Sequence, residues 1–372
     1  MVKRKWWGVP YKGSKSQVVD RLVEAIPYKG VDNFYDLFAG GCAVTHKMLL
    51  EGWYRHCYAN DIDGRALRLF RDGMDGKYAM ETRWVSREDF SKLKDTDPYI
   101  SCCWSFGNNQ RDYLYSKVIE PYKKACHYAI IYGDFSLLSD LYPDVSEVCK
   151  EALREVTGWH ERRIKFRSAI RECLKTNSAG SFASLSTSYD TDRLESLERL
   201  ERLQSLESLE SLERLQSLES LESLERLQSL ESLERLERLQ SLESLESLER
   251  LQSFQSSEVD YREVGIQPNS VIYADIPYFS TNAYGKNSSI TQPFNHSEFY
   301  DWCCNQEELV LISEYYMPAD RFTEVWNVKH KQSLCATKRS SVTERLFVPT
   351  NQLDKYHSMM QQSGQSDLFH NL

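Results

Sequence analysis

The chain has 372 residues, a mass of 43.5 kDa and a formal charge of -9. That length admits one large α/β domain with a smaller one attached. No apolar run approaches membrane-spanning length, no apolar signal core opens the chain, and ten cysteines lack CxxC spacing or a histidine cluster; this fits reduced thiols in a cytoplasmic protein better than a disulfide framework, a membrane span or a metal site. Bulk charge says little about partners, because 15 Glu and 8 Arg between Arg193 and Gln252 supply -7 of it.

The opening Lys3–Lys15 stretch is basic, aromatic and glycine-bearing, with Tyr11 and Lys15 at the entrance of a helix-like segment over residues 17–26. Lysine and an aromatic ring at a helix entrance suit a charged, ring-bearing ligand; a terminal arm packed through its tryptophans is the plainer alternative. Asn33-Phe34-Tyr35-Asp36 reads as a strand that enters a turn at Gly40-Gly41, followed by a helix to about Leu50. Strand, glycine turn and helix allow a nucleotide-like ligand to approach the backbone closely, although neither GxGxxG nor a Walker lysine is present. A second strand over residues 57–59 ends in Asn60-Asp61, and a carboxylate there is placed to accept two ribose hydroxyls.

Residues 85–90 can cap an adenine with an acidic residue and a ring, and the aromatic, amide-rich residues 101–110 read as a loop beside a base pocket. Plain packing explains either stretch as well. Between Lys150 and Lys175 eight Lys or Arg stand against four Glu, with Arg163, Arg167 and Arg171 at i, i+4 and i+8 on one helix face. From Leu194 to Leu251 a leucine recurs every third residue. A period of 3.0 turns the leucines about 60° per step around a helix, so no single seam forms and a heptad coiled coil is disfavoured. A projecting helical insertion, replaceable by a short linker and capable of self-association, is expected, with flexible Ser-rich joints over residues 178–188 and 253–257. Residues 271–275 are a β-branched and aromatic run that reads as a buried strand, and Pro277 ends it. That places Asp275 and Tyr278 at the carboxyl end of the sheet. The sheet then resumes over 309–313 and 345–348, and a frayed polar tail follows from Asn351.

Asp36-Leu37-Phe38-Ala39-Gly40, then Asp61, then Asp275-Ile276-Pro277-Tyr278 resembles the DNA adenine methylase (Dam-like) family of N6-adenine methyltransferases. Tyr11-Lys12-Gly13-Ser14-Lys15 is similar to its aromatic-x-Gly-x-Lys segment, and Glu344-Arg345-Leu346-Phe347-Val348 to its closing strand. Ile276 replaces the usual first proline of the tetrapeptide, and Cys42 stands where another glycine is common. The resemblance implies a Rossmann-like methyltransferase sheet with helices on both faces, S-adenosylmethionine as cofactor, double-stranded DNA as partner, and a role in DNA methylation or restriction–modification. It implies cofactor binding by Tyr11, Lys15, Asp36, Phe38, Gly40, Asp61 and Asp275, and catalysis by Asp275, Ile276, Pro277 and Tyr278, with no metal. Arg163, Arg167 and Arg171 are the expected DNA contacts. The same chemistry on cytosine N4 or an RNA adenine, or a non-catalytic DNA-binding scaffold, are the rival readings. The expected organisation is a core in two parts (1–135 and 253–350), a basic recognition region (136–192), the repeat (193–252) and the tail (351–372).

Overall fold

The computed structural model describes residues 7–78, 81–183, 254–277, 294–335 and 338–364. The leucine repeat, Tyr278 and the chain end beyond residue 364 lie outside them. Among the described residues the chain divides into two compact units: Met1–Glu81, Val85–Leu114 and Arg238–Leu372 form one, and Thr82–Trp84 with Tyr115–Glu237 form the other.

The first unit is built on seven strands. β1 (Asn33–Asp36), β2 (His56–Asn60), β3 (Phe254–Ser257), β4 (Ser270–Asp275), β5 (Leu309–Ser313), β6 (Phe322–Cys335) and β7 (Lys338–Pro349) lie in the order β3-β2-β1-β4-β5-β7-β6. β1 to β5 are mutually parallel, whereas β7 runs antiparallel to both β5 and β6. Successive side chains of a strand point to opposite faces. On one face Tyr35, Ile272 and Val310 pack with Phe299 and Cys303 of helix α10 (His296–Cys304). Phe34 packs against Tyr54 on the other face, where Phe254 meets Phe70 of α3 (Arg65–Met74). With helices on both faces, β4 and β5 read as continuous apolar runs, which parallel strands require.

Three segments depart from the expected pattern. Residues 254–257, read as the end of a Ser-rich joint, are β3, paired in parallel with β2 from Cys57↔Phe254 to Asn60↔Ser257. The expected helix over 17–26 is broken into a 3-10 turn (Lys15–Gln17), α1 (Val19–Leu22) and a second 3-10 turn (Val23–Ala25). The supposed frayed tail instead contains helix α11 (Leu353–Ser363), because Tyr356 and Met360 are buried and the Tyr356 hydroxyl donates to the Ala25 carbonyl at 3.1 Å.

The second unit is helical: α6 (Glu120–His127), a π turn (Tyr128–Tyr132), α7 (Ser136–Leu141), α8 (Pro143–Leu153) and α9 (Trp159–Ala183). Its core holds Cys126, Ile130, Leu138, Cys149, Phe166 and Ile170. Burial pushes the Cys126 and Cys149 thiols up to about 12, so they are protonated packing groups. No described helix in either unit is long and apolar enough to cross a membrane.

Candidate active site

The parallel arrangement brings the carboxyl ends of β1, β2 and β4 side by side, and a carboxylate stands at each. Asp36 closes β1, Asp61 follows β2 by one residue, and Asp275 closes β4. Asp36 is buried; Thr45 of α2 (Ala43–Glu51) donates to its Oδ2 at 2.7 Å, while its Oδ1 is buried without a hydrogen-bond partner among the described residues. Burial, reinforced by Asp275 and Asp61, raises the Asp36 carboxyl to about 7 against the Thr45 hydrogen bond. Asp61 accepts from the Gly40 amide at 2.8 Å and the Asp63 amide at 2.9 Å. Burial raises it to about 7 as well, opposed by those two amides.

Lys15 is the cation of this cluster. Its Nζ donates to Asp275 Oδ1 at 2.6 Å and lies 3.6 Å from Glu344 Oε1 of β7. Burial alone would lower the ammonium's pKa, but Asp275 and Glu344 outweigh it and the net shift is upward. Lys15, expected beside a cofactor, thus reaches Asp275 directly.

The glycine loop is closed by the N-terminal arm. Val9 donates its amide to the Gly41 carbonyl at 2.7 Å, and the Gly8 amide donates to His46 Nδ1 at 2.9 Å. A Cβ on Gly40 would come within 2.7 Å of the Tyr11 ring, and one on Gly41 within 2.6 Å of the Tyr11 Cβ. The close approach that these glycines permit is therefore taken up by Tyr11. His46 accepts that amide only while neutral, and burial lowers its pKa to about 4. Cys42 adopts φ 58°, a left-handed conformation that costs a non-glycine residue about 1–2 kcal/mol, which accounts physically for the glycine common there. Phe38 is anchored against Tyr261, Phe294 and Phe299, with ring centroids 5.6 Å from each.

Ile276 is buried in the apolar cluster with Phe299 and Val310, so the side chain that replaces proline is a packing group. The Pro277 carbonyl lies 2.9 Å from His296 Nε2 at the start of α10. His296, Ser313 and Glu344 were not recognisable as site residues in the sequence. The only local signal was the Asn295…Glu298 helix start, which the structure realises as an Asn295 Oδ1 cap on the Glu298 amide.

Two stretches lie differently from their sequence reading. In residues 85–90 Ser86 caps α4 (Arg87–Leu93) through the Asp89 amide, and Phe90 is buried against Tyr113. Residues 101–103 are the end of α5 (Pro98–Cys103) rather than loop, and Trp104 is fully buried. A separate cavity of about 270 Å³ lies against Tyr35, Tyr58, Gln255 and Gln267, and none of the three carboxylates or Lys15 lines it.

In the helical unit Arg163 and Arg167 are half-buried and Arg171 is exposed. Arg162, counted with them as part of a basic surface, is turned to the backbone instead. It donates to the carbonyls of Ile130 and Ala129 at 2.6 Å each and of Val156 at 3.0 Å. Among the described residues no group of His, Cys, Asp and Glu is arranged to hold a metal ion.

The sheet order and the carboxylates at adjacent strand ends are consistent with a methyltransferase fold. Residues 11–146 match the family model of the D12 class N6 adenine-specific DNA methyltransferase. The matched segment carries Tyr11, Lys15, Asp36, Gly40 and Asp61. No curated protein matches the chain. Over the matched segment the chain is similar to the D12 class of N6 adenine-specific DNA methyltransferases, which supports reading it as an adenine N6 DNA methyltransferase.

Proposed function

We propose that the enzyme transfers the methyl group of S-adenosylmethionine to N6 of an adenine flipped out of double-stranded DNA. The observation that carries this reading is the convergence of Asp36, Asp61 and Asp275 at the ends of adjacent strands, with Lys15 paired to Asp275. The Lys15 ammonium pairs with Asp275 and Glu344, whereas Asp36 Oδ1 has no hydrogen-bond partner among the described residues. Such a site favours a ligand that brings positive charge. S-adenosylmethionine carries a sulfonium and an α-ammonium against one carboxylate, and it supplies the electrophilic methyl group.

In this reading Asp36 would receive the α-ammonium, and Asp61, one step along the sheet, the ribose hydroxyls. Tyr11, Phe38 and Gly40 shape the intervening loop. Flipping the adenine costs a few kcal/mol, and stacking on Tyr278, outside the described residues, would return about 1–3 kcal/mol. Asp275 and the Ile276 carbonyl accept the two N–H groups of the adenine amine. This would draw the nitrogen lone pair out of conjugation with the ring and free it to attack the methyl carbon in line. The S–CH3 bond breaks as the new bond forms, S-adenosylhomocysteine leaves and the surplus N6 proton passes to solvent. The remainder of the rate enhancement is positioning. Arg163, Arg167 and Arg171 are the proposed phosphate or base contacts; Arg171 is exposed and the other two are half-buried.

The test supplies methyl-labelled S-adenosylmethionine together with duplex DNA or RNA, then digests the products to nucleosides. Label in N6-methyladenine from DNA is expected; label in N4-methylcytosine or only in RNA would overturn this reading.

A further inference from the structure

Glu344 belongs to the closing strand, remote in sequence from the catalytic tetrapeptide, yet it is 3% exposed and lies within the same cluster. Its Oε1 accepts from Ser313 Oγ at 2.9 Å and lies 3.6 Å from Lys15 Nζ, while its Oε2 is 3.9 Å from His330 Nε2. Ser313 is the register partner of Asp275 across β4 and β5, and of Leu346 across β5 and β7. The order Ser313, Glu344, Lys15, Asp275 is therefore a continuous polar chain through the sheet ending at the carboxylate, whose side chain keeps 21% exposure.

We infer that Glu344 is a positioning residue for methyl transfer, acting through Lys15 on the Asp275 carboxylate. The inference rests on the role proposed above for Asp275. A buried ammonium with Asp275 as its single anionic partner would exert its whole field on that carboxylate and weaken it as an acceptor for the adenine amine. A second carboxylate on the other side of Lys15 divides that field. It also fixes the ammonium, so that Asp275 is held by a short charged hydrogen bond in one orientation. Charge balance alone does not explain the arrangement, since replacing a buried ion pair with apolar packing is often neutral or stabilising. What apolar packing cannot supply is an aimed carboxylate at a partly open site.

The experiment measures methyl transfer to DNA by wild type, Glu344→Gln and Ser313→Ala over a range of pH. Glu344→Gln keeps the size of the side chain and removes its charge. Its kcat is expected to fall about tenfold, with KM for S-adenosylmethionine and for DNA within about twofold, as for lost positioning in the transition state. The acid limb of kcat should move to lower pH. Asp275 is faced by Lys15, Asp36, Asp61, Tyr273, Tyr315 and Glu344, and removing one negative neighbour makes its carboxyl more acidic. Ser313→Ala should lower kcat in the same way but less, and it carries the decision if Glu344→Gln does not fold. Unchanged kcat, or a loss of activity with an unmoved acid limb, overturns the role of Glu344 while leaving that of Asp275 standing. A wild-type enzyme that labels no adenine overturns both.

Discussion

Two cations withdrawn from water show how differently the two units use charge. In the helical unit Arg162 donates to the carbonyls of Ala129, Ile130 and Val156, and its desolvation lowers its pKa. Its partners are neutral backbone groups, two in the π turn and one just beyond α8, where carbonyls near helix ends lack their usual helical donors. In the sheet unit Lys15 is held by two carboxylates, and the net shift of its pKa is upward. On the neighbouring strand ends Asp36 and Asp61 remain raised to about 7, because burial and nearby carboxylates outweigh the hydrogen bonds they accept. The first arrangement is complete as it stands and serves the fold. The second carries excess negative charge at a strand-end site, and a cationic ligand would relieve it.

The sharpest way to break this contrast is Asp275→Ala. Methyl transfer should fall by about 10³-fold or more, as when a preorganised transition-state partner is removed, while the circular dichroism spectrum and the cooperative thermal transition persist. Near-normal turnover would return Asp275 to the same status as Arg162, a structural group. The converse substitution, Arg162→Met, should act on stability. Leaving buried carbonyls without a donor costs about 1–3 kcal/mol each, so a loss of about 3 kcal/mol or more is expected in denaturant unfolding. An unchanged unfolding midpoint would remove Arg162 from the list of structural residues.

Neutralising Arg163, Arg167 and Arg171 together tests the DNA role proposed for the same helix, whose first two arginines in this set are half-buried. Each lost phosphate contact should flatten the log–log salt dependence of DNA binding by about 0.9. An unchanged slope and affinity would show that this face is merely solvated.

The smallest expected effect is a pH dependence of S-adenosylmethionine binding, read by calorimetry between pH 6 and 8. A cationic ligand prefers the ionised forms of Asp36 and Asp61, both near 7, so affinity should rise and protons should be released as pH increases. Stability runs the other way for these two groups. Their folded values lie above the ordinary carboxylate value of 3.8, so the folded state binds more protons and their contribution improves as pH falls from about 7 toward 3.8. His46 opposes this: its folded value of about 4 lies below 6.5, so its contribution is full above pH 6.5 and is lost as pH falls toward 4.

Much of the site unit was legible in the amino-acid sequence. β1, β2, β4 and β5 are short apolar runs bounded by turn residues, and parallel strands buried on both faces need little more than that. Asp36, Asp61 and Asp275 could be placed at strand ends for the same local reason. β3 could not, because Phe254-Gln255-Ser256-Ser257 is a half-buried edge strand; pairing with β2, which comes from distant sequence, makes it a strand. The ordered helix after Asn351 was hidden likewise: Tyr356 and Met360 acquire their burial from elements such as the Ala25 turn. Arg162 and Arg163 are neighbours in a basic run, and only their 100° separation around the helix sends one guanidinium to the backbone of the π turn. Local pattern therefore determined where the carboxylates stand. Tertiary structure alone decided which charges meet, because Lys15 reaches Asp275 across 260 residues and Glu344 joins them from the last strand of the sheet. A side chain's residue type is written in its own position, but its electrostatic partner is set by strand register and by the burial that removes water from between them.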